Sequence, residues 1–409
     1  CSPPQYAQHA QRVGLIFQAG TETLCDGADN NCNGQVDELC CANNDARSSA
    51  FDGTDDFFRL IGLAPNADAT EFAILYREGS QVLSPLKLAV LDINAEPIRF
   101  LDDLGNPELG ASVSLHRDHL AEQWVVAQAQ QERILVHRIS DDGLVLDTQT
   151  ITTGHTFLKI KTLQVGAEGF WLVGHDAQGA ITTLNINGLT TSSQDTVLPQ
   201  DRYEEVLRID SVHYEAQQNR AWISAAVREQ DAPEAQTKIL VLHSTTLGAN
   251  PTFSQQTALI FDSTQTVPEN TRAPAGSTIK GHDLYSVLQD GTSFGVVKRS
   301  LSQGLNAPTT VLFTENDPSF TLHNVAVLEN HVVVASTIGN GDHSVRVFDT
   351  RTESISEVSL VNFDRFDFAT VDVTQHTHGA LFITNALTNR LNAELRASIL
   401  NHQAKPLCP

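Results

Sequence analysis

A unit of about 50 residues recurs along this chain, and no other feature limits its fold as strongly. Aligning the short apolar runs on a central bulky residue picks out Phe72, Trp124, Trp171, Trp222, Tyr285, Val333 and Leu381. The six intervals are 52, 47, 51, 63, 48 and 48 residues, which from Phe72 to Leu381 average 51.5. All three tryptophans of the chain fall on this position. The runs alternate with period two and are four to eight residues long, so they read as strands. A repeat of this length, in which one unit cannot bury its own apolar face, implies stacked copies of one supersecondary element.

A second set of runs follows each anchor at a steady offset: Leu88–Ile93, Ile134–Ile139, Ile181–Ile186, Ile239–His243, Phe294–Lys298, Val345–Phe348 and Leu395–Leu400. Turn residues that tolerate positive φ separate the two sets at Gly179, Asp290-Gly291 and Gly339–Gly341. Four strands per unit and seven units predict an all-β chain, a seven-bladed β-propeller over residues 51–409. A pair of β-sandwich domains is the competing architecture, and it leaves the period unexplained. The 63-residue interval predicts insertions at Arg228–Thr237 and Thr264–Ser277. The seventh unit opens at Phe368–Val373 and has only Gln403–Pro409 for an outer strand, so Arg12–Gln18, with strand character, is expected to complete it. Closure of that kind removes an exposed edge.

The 49 acidic and 26 basic side chains give a net charge of −23. That excess argues against a sequence-independent nucleic-acid binder, whose affinity rests on Lys and Arg neutralising phosphates. No apolar run approaches the length of a membrane-spanning helix; the densest, such as Leu86–Leu91, are strand-length. Six cysteines are placed at the two ends of the chain: Cys1, Cys25, Cys32, Cys40 and Cys41, then Cys408. Such a staple pattern fits an oxidising compartment. Spacing leaves the pairing open: a local bridge within Cys25, Cys32 and Cys40 and a long one from Cys40 or Cys41 to Cys408 are favoured, with a strained Cys40–Cys41 ring as the alternative.

The sharpest local signal is Glu22-Thr-Leu-Cys-Asp-Gly-Ala-Asp-Asn-Asn-Cys-Asn-Gly-Gln-Val-Asp-Glu-Leu-Cys40. Asp29, Asn31, Asn33, Gly34 and Asp37 reproduce the first nine positions of an EF-hand loop. Alternate oxygen-bearing side chains converge on one cation, the glycine permits the sharp turn, and the Gln35 carbonyl supplies the next ligand. Position twelve, normally a bidentate Glu, is Cys40, so Glu38 or Asp26 is expected to provide the remaining carboxylate. Residues 22–50 are therefore expected to form a small disulfide-stapled metal module behind a tether, residues 1–21. The same stretch resembles the MopE-type metal-binding motif of bacterial surface and secreted proteins through Glu22, Cys25, Asp26, Gly27, Asp29, Asn30, Cys32, Gly34, Asp37 and Glu38. Hard oxygen donors, with no His or Met in the loop, favour Ca²⁺ over copper.

Cys1 followed by Ser2-Pro3-Pro4-Gln5 resembles the start of a mature bacterial lipoprotein, which implies a lipid on Cys1 and a cell-surface or outer-membrane location, or secretion. Weaker constellations are His376 with His378, and Lys161, Arg208, Asp210, Lys280 and Asp372 on candidate innermost strands. No nucleophile elbow, zincin, P-loop, haem or dinucleotide motif occurs. The expected function is a non-catalytic surface propeller that binds or scaffolds a surface or extracellular protein or polysaccharide. The membrane enters only through the lipid. A propeller hydrolase or lyase acting on extracellular polysaccharide is the alternative, and a quinone-dependent dehydrogenase a remote third.

Overall fold

The computed structural model describes residues 49–50, 58–78, 85–101, 104–105, 112–118, 121–164, 170–176, 180–187, 190–198, 203–215, 220–229, 237–243, 259–262, 273–280, 282–289, 293–306, 308–316, 321–328, 331–338, 342–349, 354–360, 371–376, 379–389, 392–401 and 406–407. Strand β1 (Ser49–Ala50) comes first. The first sheet then runs β2 (Phe58–Pro65), β3 (Phe72–Glu78), β4 (Leu86–Leu91) and β5 (Pro97–Leu101). The second has β6 (Ser112–Asp118), β7 (Gln123–Gln130), β8 (Arg133–Ile139) and β9 (Val145–Thr152). The third has β10 (Phe157–Gln164), β11 (Phe170–Asp176), β12 (Ile181–Asn187) and β13 (Thr190–Leu198). The fourth has β14 (Tyr203–Glu215), β15 (Arg220–Glu229), β16 (Thr237–His243) and β17 (Leu259–Asp262). The fifth has β18 (Ala273–Lys280), β19 (Asp283–Gln289), β20 (Ser293–Ser300) and β21 (Thr310–Asn316), and the sixth β22 (Thr321–Leu328), β23 (His331–Ile338), β24 (Asp342–Asp349) and β25 (Ser354–Leu360). The seventh contains β26 (Val371–His376), β27 (Gly379–Asn389), β28 (Asn392–Asn401) and β29 (Pro406–Leu407), together with β1.

Six sheets are antiparallel meanders of sequential strands, and the seventh adds β1 at the edge of β28. The first strands touch in the order β2, β6, β10, β14, β18, β22, β26, and β26 touches β2 again. The core lies between the faces of adjacent sheets. Phe72, Ile74, Leu381 and Ile399 join the first sheet to the seventh. Leu75, Val90, Trp124 and Ile139 join the first to the second, and Val125, Ile134, Leu172 and Ile186 the second to the third. Trp222, Val241, Leu284 and Val297 join the fourth to the fifth. Fully burying side chains of this size contributes about 1.5–3 kcal/mol each, which is why the repeat shows as bulky residues at fixed intervals. Among the described residues no helix is long and apolar enough to cross a membrane.

All seven anchors lie on the second strand of their sheet. The three tryptophans are not in one phase, however. Trp124 packs toward the preceding sheet with Leu75 and Val90, whereas Trp222 packs toward the following one with Ile279 and Leu284. Phe170 and Leu172 face the second sheet, so Trp171 between them, 2% exposed, is turned the other way. The reason is burial on both faces. Strand β11 is buried at all seven positions, so a one-residue slip moves no apolar side chain into water.

The long interval between Trp222 and Tyr285 also has a second source. The connection between β15 and β16 covers residues 230–236, and that between β17 and β18 covers 263–272; residues 273–277 are already strand. Most of the additional length is residues 244–258, between β16 and β17, which sequence reading did not single out. The turn residues Gly179, Asp290-Gly291 and Gly339–Gly341 lie outside the described residues.

The outer edge of β28 is shared by two short strands. Ser49 and Ala50 pair with Ala397 and Arg396, and Leu407 and Pro406 pair with Ile399 and Leu400. Both run antiparallel to β28, so β29 leads toward the start of β1, with Ser398 between them on the partner strand. The segment Arg12–Gln18 lies outside the described residues.

Candidate functional site

In an antiparallel meander, the connection after the second strand and the linker to the next sheet lie at the same end. That end therefore receives residues 79–85, 102–111, 153–156, 230–236, 263–272 and 361–370. At this end the third sheet presents His155, in its linker, opposite Asp176, the last residue of β11. His155 Nδ1 lies 3.7 Å from Asp176 Oδ2, with the imidazole 30% and the carboxyl 10% exposed. The local sequence fixes both groups. Asp176 Oδ1 accepts from the Ala180 amide at 2.9 Å, closing the turn into β12. Thr153 Oγ1 donates to the His155 carbonyl at 2.9 Å.

Gly174 sets the approach. A Cβ at that position would stand 2.4 Å from the buried Phe157 ring, the residue that opens β10 just after the His155 linker. The missing side chain thus lets Phe157 settle on β11 and holds the linker over Asp176. The resulting imidazole–carboxylate pair is able to donate and accept hydrogen bonds and to hold a positive charge when protonated.

Polar groups also stitch the inner strands. The Ile160 and Thr162 amides of β10 donate to Ser112 Oγ and Ser114 Oγ of β6 at 3.0 and 3.1 Å. Thr162 Oγ1 contacts Ser114 Oγ at 2.9 Å and His116 Nδ1 at 2.8 Å. Between the fourth and fifth sheets, Ser277 Oγ donates to Asp210 Oδ2 at 2.7 Å. Of the charged residues expected on inner strands, Lys161 is exposed on β10 and Asp210 is half-buried on β14 in this hydroxyl contact. Arg208, Lys280 and Asp372 belong to β14, β18 and β26, with side chains outside the described set. His376 ends β26 opposite Gly379, and His378 lies outside the described residues.

Three buried imidazoles, His116, His137 and His175, were not foreseen. His137 of β8 receives a hydrogen bond from Gln128 Nε2 at 3.0 Å and donates from Nδ1 to Thr148 Oγ1 at 3.1 Å. Gln128 in turn donates to the Leu104 carbonyl at 3.0 Å. Burial pushes the His137 pKa below its ordinary value, in keeping with a neutral ring in this chain of bonds.

The loop residues Asp26, Asp29, Asn31, Asn33, Gln35, Asp37 and Glu38 all lie outside the described residues, as do Cys1, Cys25, Cys32, Cys40, Cys41 and Cys408. Among the described residues no group of three His, Cys, Asp or Glu side chains is placed to hold a metal ion. Sequence spacing carries the metal motif because its ligands are local. His155 and Asp176 share no motif and meet only through the fold.

Comparison with known proteins bears on both parts of the chain. A family model for the copper-binding MopE type, described as "Putative metal-binding motif", matches residues 16–38. A search of curated proteins gives no match. Among solved structures, the chain is similar to the β-propeller domain of Cps50 (Swd1) from Myceliophteria thermophila, at 9% identity and a TM-score of 0.50, covering 86% of this chain and 99% of that one. It is similar as well to a "putative 6-phosphogluconolactonase" from Bacteroides fragilis, at 10% identity and a TM-score of 0.50, covering 88% of this chain and 95% of the other. At such identities the likeness shows the fold alone. The chain carries a MopE-type metal-binding motif ahead of a β-propeller body.

Proposed function

We propose that this protein is a non-catalytic, exported propeller of seven blades in a closed ring that binds a surface or extracellular protein or polysaccharide, with a calcium-stabilised module ahead of the ring. Ring closure is supported by the contact of β26 with β2 and by the packing of Leu381 and Ile399 against Phe72. Export is supported by the crowding of cysteines at the two ends of the sequence. For binding, the supporting observation is a group of ten-residue linkers at one end. Three linkers between successive sheets, 102–111, 263–272 and 361–370, run to ten residues each and leave the scaffold at the same end, beside residues 230–236. Long connections on a rigid frame are where recognition surfaces sit. The opposite end has one longer connection, 244–258, and one of nine residues, 301–309.

The donor set of the motif fits a hard cation. Asp29, Asn31, Asn33, Asp37 and the Gln35 carbonyl would hold it, with Asp26 or Glu38 adding a carboxylate, and the ion would offset their mutual repulsion. Copper, named by the family that matches residues 16–38, prefers imidazole, thiolate or thioether ligands. Titration calorimetry on the whole chain tests the choice: Ca²⁺ should bind at one equivalent, and Cu²⁺ binding in place of Ca²⁺ would overturn it.

A hydrolase or lyase remains the second reading because the His155–Asp176 pair sits at the end that carries these linkers. Incubation with extracellular polysaccharide separates the two. Complex formation without new reducing or unsaturated ends, lost when 263–272 is replaced by a four-residue turn, supports a binding protein. Release of such ends, abolished in His155→Gln, would overturn it.

A further inference from the structure

We propose that His137 is a proton-sensitive clamp on Leu104, so that acidification loosens the junction between the first and second sheets while the rest of the body stays folded. Three hydrogen bonds define the clamp. Gln128 Nε2 lies 3.0 Å from the Leu104 carbonyl oxygen and 3.0 Å from His137 Nε2, and His137 Nδ1 lies 3.1 Å from Thr148 Oγ1. A carbonyl oxygen only accepts, so the Gln128 atom facing it is the amide nitrogen. The same nitrogen gives its second hydrogen to His137 Nε2, which is therefore the bare nitrogen of a neutral ring. The ring proton is on Nδ1 and is donated to Thr148.

Leu104 is itself well held. It is 2% exposed and packs with Leu86, Leu88 and Trp124. Its amide donates to the Leu86 carbonyl at 2.9 Å, and the Leu86 amide donates to the Gly105 carbonyl at 3.1 Å. Strand β4 of the first sheet is thus tied through Leu104 to Gln128 of β7 and His137 of β8. Gln128 is 1% and His137 6% exposed, so little water is at hand to replace a lost partner.

Protonation breaks this arrangement. A proton on His137 Nε2 would meet the Gln128 amide nitrogen, donor against donor. Turning the amide over presents Oε1 to that proton, but it also sets Oε1 against the Leu104 carbonyl, acceptor against acceptor. One amide serves neutral His137 and Leu104 together; it cannot serve the imidazolium and Leu104. The Leu104 carbonyl is then a buried acceptor without a donor, and the state that releases it is favoured.

Few charges surround the ring. On the first sheet, Arg77 of β3 lies in step with Ala73 and Leu75 on the face turned toward the second sheet, and Arg99 of β5 is held by Glu71 at 3.3 Å. On the second sheet, Arg138 takes the face opposite to His137 with Asp147 at 3.6 Å, and Arg117 is paired with Asp141. Asp102 and Asp103, which precede Leu104, lie outside the described residues. Among the described residues no carboxylate bonds the imidazole, and burial holds its pKa below the ordinary value, so the change falls on the acid side of about pH 6.5.

Native-state hydrogen exchange of the whole chain tests the clamp. Protection factors, corrected for the intrinsic pH dependence of exchange, are compared at Leu104, at Leu86 and at Leu172 of β11 from pH 7.5 to 4.5, and the His137 ring is titrated by NMR in the same samples. Protection at Leu104 and Leu86 should fall about tenfold, the effect of one lost buried partner, with the midpoint of the ring titration, and Leu172 should not change. The fall should vanish in His137→Gln, and Gln128→Leu should be as weakly protected at pH 7.5 as wild type is at pH 4.5. A step that persists in His137→Gln, a ring that titrates without change at Leu104, or a ring still neutral at pH 4.5 would overturn the proposal. The last two outcomes need only wild-type protein. Leu104 belongs to the linker 102–111 counted above at the binding end, but the readout involves no ligand, so a failure of polysaccharide binding leaves it unchanged.

Discussion

Single residues decide how closely the third sheet holds its linker. Gly174→Ala would drive a methyl group into the buried Phe157 ring, and overpacking of this kind costs about 1–3 kcal/mol. Urea unfolding should show that loss, and Phe157→Leu in the same chain should recover part of it, since contacting residues are not additive. The buried His137 gives a pH signature. Its folded-state pKa is depressed by burial, so the unfolded chain takes up the proton first, near pH 6.5. Its contribution is therefore complete above about pH 6.5 and is lost as pH falls from there toward the lower folded-state value. Comparing unfolding midpoints of wild type and His137→Gln from pH 7.5 to 5 should show the wild type losing ground on acidification; parallel curves would contradict the assignment. In the metal-binding motif, the EF-hand register takes Asp29, Asn31 and Asn33 as ligands and leaves Asn30 out. Asp29→Ala should abolish calcium uptake in calorimetry, and Asn30→Ala should retain it.

Strands and turns show which parts of the fold were legible in the sequence. The seven second strands were readable because a strand packed on both faces favours a run of consecutive apolar residues, as in Phe170-Trp-Leu-Val173, and such runs stand out at any phase. Their orientation was not readable for the same reason. With neither face wet, nothing in β7 or β15 distinguishes the side on which Trp124 or Trp222 must sit. The metal loop was legible through local spacing, whereas His155 and Asp176, twenty-one residues apart, become neighbours only when Phe157 lies on Gly174. Turns carry their own cost. The two-residue connection of β7 to β8 begins with Gln131 at φ 50°, where glycine is the favoured residue. Gln131→Gly should raise stability by about 1 kcal/mol, after the unfolded-state entropy of glycine is set against relief of the left-handed backbone.

At the scale of the whole molecule, the proposed metal module and the propeller body are expected to respond to different perturbations. Chelation should increase hydrogen exchange in residues 25–41 and leave the amides of β7 and β11 protected, because those strands are held by burial between neighbouring sheets. Loss of protection throughout the ring on chelation would mean that the metal site and the propeller fold as one unit. The meeting of β1 and β29 on β28 also has a mechanical consequence. A pull applied ahead of Ser49 arrives first at two residue pairs, Ser49 with Ala397 and Ala50 with Arg396, and these peel before any longer strand carries load.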